Sequence, residues 1–262
     1  MKSSVVASLV SLAMAAAVSA RTITVYNACP FTIWPAYFTS GGPRPSQTTG
    51  WAAAPYTSVQ ITAAEGWYGR VWARRDCNFN GNNGPTSCLD GGCNGGLVCD
   101  VNTGTGVPPA SLAEFNFQGP NSDFYDVSLV DGYNLPHVAF IIDQYIRIDN
   151  TAGCAAPACA VDLGPNCPAA LKGPFDSTGF PVGCSSACNI DALNGRAGNS
   201  PNCCSGQYST PATCPSSGVT DYSYFKNACP NAYAYAYDES SESALWTCPT
   251  SKHADYTVTF CP

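Results

Sequence analysis

Sixteen cysteines constrain this chain of 262 residues more than any other feature. The segment that precedes them reads as a secretion signal. Lys2 supplies a positive start, Val5 to Val18 is almost unbroken apolar or small, and Val18-Ser19-Ala20 is a small-residue cleavage site. Residues 1–20 are therefore set apart from the fold, and the mature chain is expected to begin at Arg21. The apolar run falls short of the ~20 residues that a membrane span needs, and no later segment approaches that length. All sixteen cysteines follow the cut, which places them in an oxidising, extracellular compartment where thiols pair. Zinc would want Cys-x-x-Cys pairs or a Cys/His mixture. The closest spacings are Cys184-x-x-x-Cys188 and Cys203-Cys204, with only two His in the chain. The expectation is eight disulfides in a monomer, no metal and no cofactor. Eight bridges allow on the order of two million pairings, so spacing leaves the connectivity open.

The cysteines are unevenly spread. Four fall between Cys77 and Cys99 and nine between Cys154 and Cys229, whereas Cys29 to Cys77 and Cys99 to Cys154 enclose none. Cysteine-free stretches must hold themselves by an apolar core, and here they alternate like strands. Ile23 and Val25 share a face, as do Val59 and Ile61, Phe115 and Phe117, Tyr125, Val127 and Leu129, and Tyr256, Val258 and Phe260. His137 to Ile142 is an apolar run suited to a buried strand. Breaks at Gly41–Pro45, Gly119–Asn121, Asp131–Gly132 and Asn150 make the strands short, which suggests an all-β sandwich or barrel. Ala187 to Leu193 is the one stretch read as a short helix. No internal repeat and no Asn-X-Ser/Thr sequon occur.

Charge narrows the function classes. Charged residues are 11% of the chain, against about 25% in ordinary soluble domains. The formal charge is −7, and −8 once Lys2 is removed, which argues against a nucleic-acid partner. The Gly91-Gly92 and Gly95-Gly96 pairs lack the strand–helix context of a phosphate loop. His137, at a strand start, and His253, in a polar turn, give weak support to a Ser–His–Asp enzyme.

The carboxylates are more informative. If Phe115 and Phe117 face the core, Glu114 faces away from it. If Tyr125, Val127 and Leu129 face in, Asp126 faces out, and Asp131 sits in the following turn. Arg70 and Trp72 share a face. Read as a strand, Tyr233-Ala234-Tyr235-Ala236-Tyr237 puts Asp238 on the alanine side. A solvated outer face would explain each carboxylate singly, and alternation alone does not bring them together.

At this point the chain resembles a known family, the thaumatin-like proteins or pathogenesis-related group five. The resemblance runs from Arg21 to Pro262. It rests on Ile23-x-Val25-x-Asn27-x-Cys29, Gly69-Arg70-Val71-Trp72-Ala73-Arg74, and Pro108-Pro109-Ala110-Ser111-Leu112-Ala113-Glu114-Phe115. It continues through Asp123-Phe124-Tyr125-Asp126-Val127-Ser128-Leu129-Val130-Asp131-Gly132, Cys229-Pro230-x-Ala232-Tyr233, and Tyr256-x-Val258-x-Phe260-Cys261-Pro262. The family's Thr-Gly-Asp-Cys string is altered to Asp90-Gly91-Gly92-Cys93, which puts the shape of that loop in question.

The resemblance implies a flattened β-sandwich from residues 21–74, 110–160 and 230–262. It adds a disulfide-rich loop and short-helix domain over 161–229 and a small disulfide-rich domain over 75–109. It implies the bridges Cys29–Cys261, Cys77–Cys88, Cys93–Cys99, Cys154–Cys248, Cys159–Cys229, Cys167–Cys184, Cys188–Cys203 and Cys204–Cys214. It also implies an acidic interdomain cleft of Arg70, Glu114, Asp126, Asp131 and Asp238. Clustered carboxylates repel, so one should hold its proton, as glycoside hydrolysis requires. The family nominates Glu114 as proton donor and Asp131 as the water-activating or nucleophilic partner. Arg70 would orient a carboxylate, and Asp126 and Asp238 would bind sugar hydroxyls. The implied partner is β-1,3-glucan or a related cell-wall polysaccharide, cleaved slowly in cell-wall remodelling or antifungal defence. The alternatives are a glucan-binding or membrane-perturbing antifungal protein without turnover, and a hydrolase inhibitor. Sweet members resemble basic proteins, and a sequence pI near 4.6 argues against that branch.

Overall fold

The computed structural model describes residues 20–135 and 146–262. Its strands, in chain order, are β1 (Arg21–Asn27), β2 (Trp34–Gly41), β3 (Thr57–Ala63), β4 (Tyr68–Arg74), β5 (Leu112–Asn116), β6 (Ser122–Ser128), β7 (Tyr133–Asn134), β8 (Ile146–Asn150), β9 (Ala158–Cys159), β10 (Gly183–Cys184), β11 (Trp246–Pro249) and β12 (Tyr256–Phe260). Two α-helices are described, α1 (Ala187–Leu193) and α2 (Tyr222–Ala228). One five-stranded sheet has the order β3-β1-β12-β8-β9, the other β11-β6-β5-β4-β2, and β10 pairs with β7. The first and last strands lie side by side in parallel, Ile23 opposite Tyr256, and the Cys29–Cys261 bridge clasps them.

Alternation builds the space between the sheets. Ile23, Val25, Ile61, Ile148 and Val258 point inward from the first sheet, and Tyr37, Val71, Ala113, Tyr125 and Val127 from the second. Tyr256 meets the rings of Phe115 at 5.4 Å and Tyr125 at 5.1 Å. One ion pair is buried with this apolar layer. Arg21 donates from Nε to Asp123 Oδ2 at 2.8 Å and from Nη2 to Oδ1 at 3.1 Å, while Tyr256 adds its hydroxyl at 2.9 Å. The pair joins β1 to β6 across the sandwich, and its third hydrogen bond helps offset the cost of burial.

The second sheet is covered on its outer face too. Ala36, Trp72, Ala110 and Leu112 pack against Cys93 and Cys99 of the β4–β5 connection. Arg74, fully buried, pins that connection down. It donates to Trp34 O at 2.8 Å, Gly96 O at 2.6 Å and Leu97 O at 2.8 Å. Burial pushes its pKa down to about 10. In the altered signature, a Cβ at Gly92 would lie 1.8 Å from Pro85 O, so no side chain fits there. The carboxylate of this loop is Asp90 instead. It is buried, it accepts from Asn134 Nδ2 at 2.9 Å, and its Oδ2 has no partner.

The helix expected over Ala187 to Leu193 is α1, capped by Ser186, whose Oγ accepts from Asn189 N at 3.1 Å. All sixteen cysteines are bridged, in the eight pairs that the family resemblance implies. Val59 and Ile61 share a face of edge strand β3, opposite Val25 and Ile23, with Val59 36% exposed. One expectation is corrected. Tyr233 to Tyr237 is no strand: Tyr233 bridges Ser128, and the chain then turns into a 3-10 helix over Asp238–Ser241. The secretion signal, apart from Ala20, and the strand expected at His137 to Ile142 lie outside the described residues. Among the described residues no helix is long and apolar enough to cross a membrane.

Candidate functional site

Three antiparallel strands form the floor of a cleft. Val71, Ala113 and Val127 point into the sandwich, so their neighbours on each strand point the other way. The register then sets Arg70 of β4 opposite Glu114 of β5, and Glu114 opposite Asp126 of β6. To one side of this charged row, Trp72 and Leu112 are sealed under the disulfide-rich β4–β5 connection. To the other side, Tyr68, Asn116 and Phe124 line the cleft, whose volume is about 640 Å³. Asp131, from the β6–β7 turn, and Tyr233 and Glu239, from the segment after α2, complete the walls.

Cross-strand neighbours stand about 5 Å apart, so Arg70 and Asp126 flank Glu114 closely. Arg70 reaches out of the row, donating from Nη1 to Asp131 Oδ2 at 3.2 Å and from Nη2 to Thr105 Oγ1. Burial raises the pKa of Glu114; the charge of Asp131 adds to this, and Arg70 and a hydrogen bond from Ser128 oppose it. Burial likewise raises Asp131 against the pull of Arg70. Asp126 is pushed well above the carboxylate range by burial, then by the charges of Glu114 and Glu239. Among the described residues, Asp126 Oδ1 is buried without a hydrogen-bond partner to offset this. Burial and the charges of Asp126 and Glu239 also raise the Tyr233 phenol, which hydrogen-bonds Glu239.

The structure thus brings together Arg70, Glu114, Asp126 and Asp131 among the expected site residues. Asp238 is not among them. It is fully buried and faces away from the cleft. Lys226 of α2 lies 3.0 Å from its Oδ2, Tyr222 donates to Oδ1 at 2.8 Å, and Ala234 N donates to Oδ2 at 2.9 Å. These contacts pin the cleft-wall segment to α2. The next residue, Glu239, is exposed and lines the cleft instead. The resemblance and a strand phase over Tyr233 to Tyr237 both point to Asp238, but no strand forms there, and no signal in the sequence points to Glu239.

Chemically the cleft offers carboxylate acceptors beside the aromatic side chains of Tyr68, Phe124 and Tyr233, a combination suited to sugar rings and hydroxyls. It also offers carboxyls whose pKa values burial raises, Asp131 among them with the Arg70 guanidinium opposing the rise. Among the described residues no group of three His, Cys, Asp or Glu is placed to hold a metal ion.

A family model described as "Thaumatin family" matches residues 27–262. "Pathogenesis-related protein 5" of Arabidopsis thaliana is 42% identical over 257 residues, covering 97% of this chain and 95% of that protein. "Pathogenesis-related thaumatin-like protein 3.5" of Cryptomeria japonica is 40% identical over 244 residues, covering 93% and 90%. "Glucan endo-1,3-beta-glucosidase" of Prunus avium is 38% identical over 245 residues, covering 93% and 91%.

Proposed function

The chain belongs to the thaumatin family, and from that premise we propose that it is a secreted protein whose cleft binds β-1,3-glucan and slowly hydrolyses it. The observation that carries the reading is the row of Arg70, Glu114 and Asp126 across three adjacent strands, open to a cleft with aromatic faces beside it. The name of the Prunus avium relative supports the choice of glucan, and eight disulfides suit an extracellular protein.

Glu114 acts as the proton donor. It lies half-buried between Arg70 and Asp126, and burial, with the charge of Asp131, raises its pKa against the pull of Arg70, which favours the protonated form a donor needs. Asp131 is its partner. Arg70 holds it by an ion pair of 3.2 Å and favours its ionised form, as a water-activating or nucleophilic carboxylate must be. Asp126 and Glu239 accept hydrogen bonds from sugar hydroxyls, and Tyr68 and Phe124 offer ring faces. Asp238 acts at a distance, by holding the wall that carries Tyr233 and Glu239.

Release of reducing ends from linear β-1,3-glucan tests the reading. The parent should release fragments, and Glu114→Gln should bind glucan but lose at least about 100-fold in rate, the usual worth of a general acid. Binding by the parent without release would leave a non-catalytic glucan-binding protein. No binding at all would refute the assignment of the cleft.

A further inference from the structure

Asp126 poses an electrostatic problem that the chain itself does not solve. It is 8% exposed, it lines the cleft, and its Oδ1 has no hydrogen-bond partner among the described residues. The groups that face it are Glu114 from β5 and Glu239 and Tyr233 from the segment after α2. Leu245, before β11, brings only an apolar side chain. Among the described residues lining the cleft the one cation is Arg70, which stands a strand further off, beyond Glu114, and is paired with Asp131. A buried carboxylate with only like charges for company must take a proton or meet a cation.

We propose that the cleft seats a protonated amine of a β-linked amino-glycan, a glucosamine-type sugar, against Asp126, Glu114 and Glu239. The proposal rests on the glycan reading of the cleft and specifies which glycan it prefers. An ammonium carries three donors, one for each carboxylate. Charge-assisted hydrogen bonds of this kind are about twice as strong as neutral ones. The flat faces of Tyr68, Phe124 and Tyr233 suit a pyranose ring better than the flexible stem of a lysine. Proton release should mark the event. Burial favours the protonated forms of Asp126 and Glu114, and an arriving ammonium displaces those protons, whereas a neutral glycan displaces none.

Titration calorimetry in mild acid, in two buffers of different ionisation enthalpy, tests this with four probes: a glucosamine tetramer, its fully N-acetylated form, a neutral β-1,3-glucan tetramer, and tetralysine. The glucosamine tetramer should bind at least about 10-fold more tightly than both other sugars, with release of protons. Asp126→Asn should bring that ratio down to about 2 or less, and Glu239→Gln, at an exposed position, should reduce it without risk to the fold. Equal binding of the free-amine and N-acetylated tetramers, or a ratio unchanged in both variants, would overturn the proposal. Tetralysine binding as tightly as the amino sugar would overturn it in favour of a basic peptide. Glucan binding with no preference for the amine would refute this inference and leave the proposed function standing. Amino-sugar binding without glucan binding would do the reverse.

Discussion

Replacing Asp90 by Asn should stabilise the protein at alkaline pH and leave it nearly unchanged in acid. The carboxyl is 2% exposed, Asn134 Nδ2 donates to Oδ1 at 2.9 Å, and Oδ2 has no partner. Burial pushes its pKa up to about 7, against the opposing hydrogen bond of Asn134 and the charge of Arg75. An aspartate in the unfolded chain titrates near 3.9. Below about pH 4 both states hold the proton, and the group has no effect on stability. Between about pH 4 and 7 the unfolded chain releases its proton while the folded one keeps it. The unfolded state then binds fewer protons, so stability falls as pH rises, and the loss is complete above about pH 7. Three pKa units at 1.36 kcal/mol each amount to about 4 kcal/mol. Asn is neutral throughout and escapes this loss. Guanidinium unfolding with the disulfides intact should therefore show Asp90→Asn gaining about 4 kcal/mol on the parent near pH 8 and staying within about 1 kcal/mol of it near pH 4. A difference between variant and parent that is the same at both pH values would refute the reasoning.

Two further substitutions separate cleft from scaffold. Asp238→Ala should cost about 3–5 kcal/mol, because it leaves the partly buried ammonium of Lys226 with the Ala232 carbonyl alone and takes the acceptor from the Tyr222 hydroxyl and the buried Ala234 N–H. Glu239→Gln should stay within about 0.5 kcal/mol of the parent, and thermal unfolding of the pair distinguishes the two acids. Arg74→Met should cost about 3–5 kcal/mol, because the carbonyls of Trp34, Gly96 and Leu97 lose their donor. Its mark beyond stability should be faster amide exchange across the β4–β5 connection than across β1 and β12.

Much of the sandwich was legible because its strands are half-buried, so that period-two spacing separates core from surface. The same spacing turns Glu114 and Asp126 away from the core without reference to any partner strand. What no single strand encodes is register. Arg70, Glu114 and Asp126 become neighbours only through the pairing of β4 with β5 and β5 with β6. Asp238 shows the converse. The Tyr-Ala alternation before it imitates a strand, but after Tyr233 the backbone turns, and one residue of phase decides which acid reaches the cleft. Helix α1 was readable from its position, while α2 buries only Phe225 along its length and carries little amphipathic signal.

Three carboxylates illustrate why burial alone does not announce a site. Asp90, Asp126 and Asp238 are all less than a tenth exposed, and nothing in their composition or spacing ranks them. Their partners do. Asp238 meets an ammonium, a hydroxyl and a backbone N–H, which makes it a structural clamp between α2 and the cleft wall. Asp90 meets one amide and an opposing cation, and burial outweighs both, so it retains a proton and acts on stability alone. Asp126 meets only other acids, and of the three it alone opens on the cleft. A group in that position gains most from whatever enters, because a donor or cation brought by a ligand satisfies what the fold leaves unsatisfied. Of these three carboxylates, the poorest satisfied is thus the one that a ligand is best placed to complete.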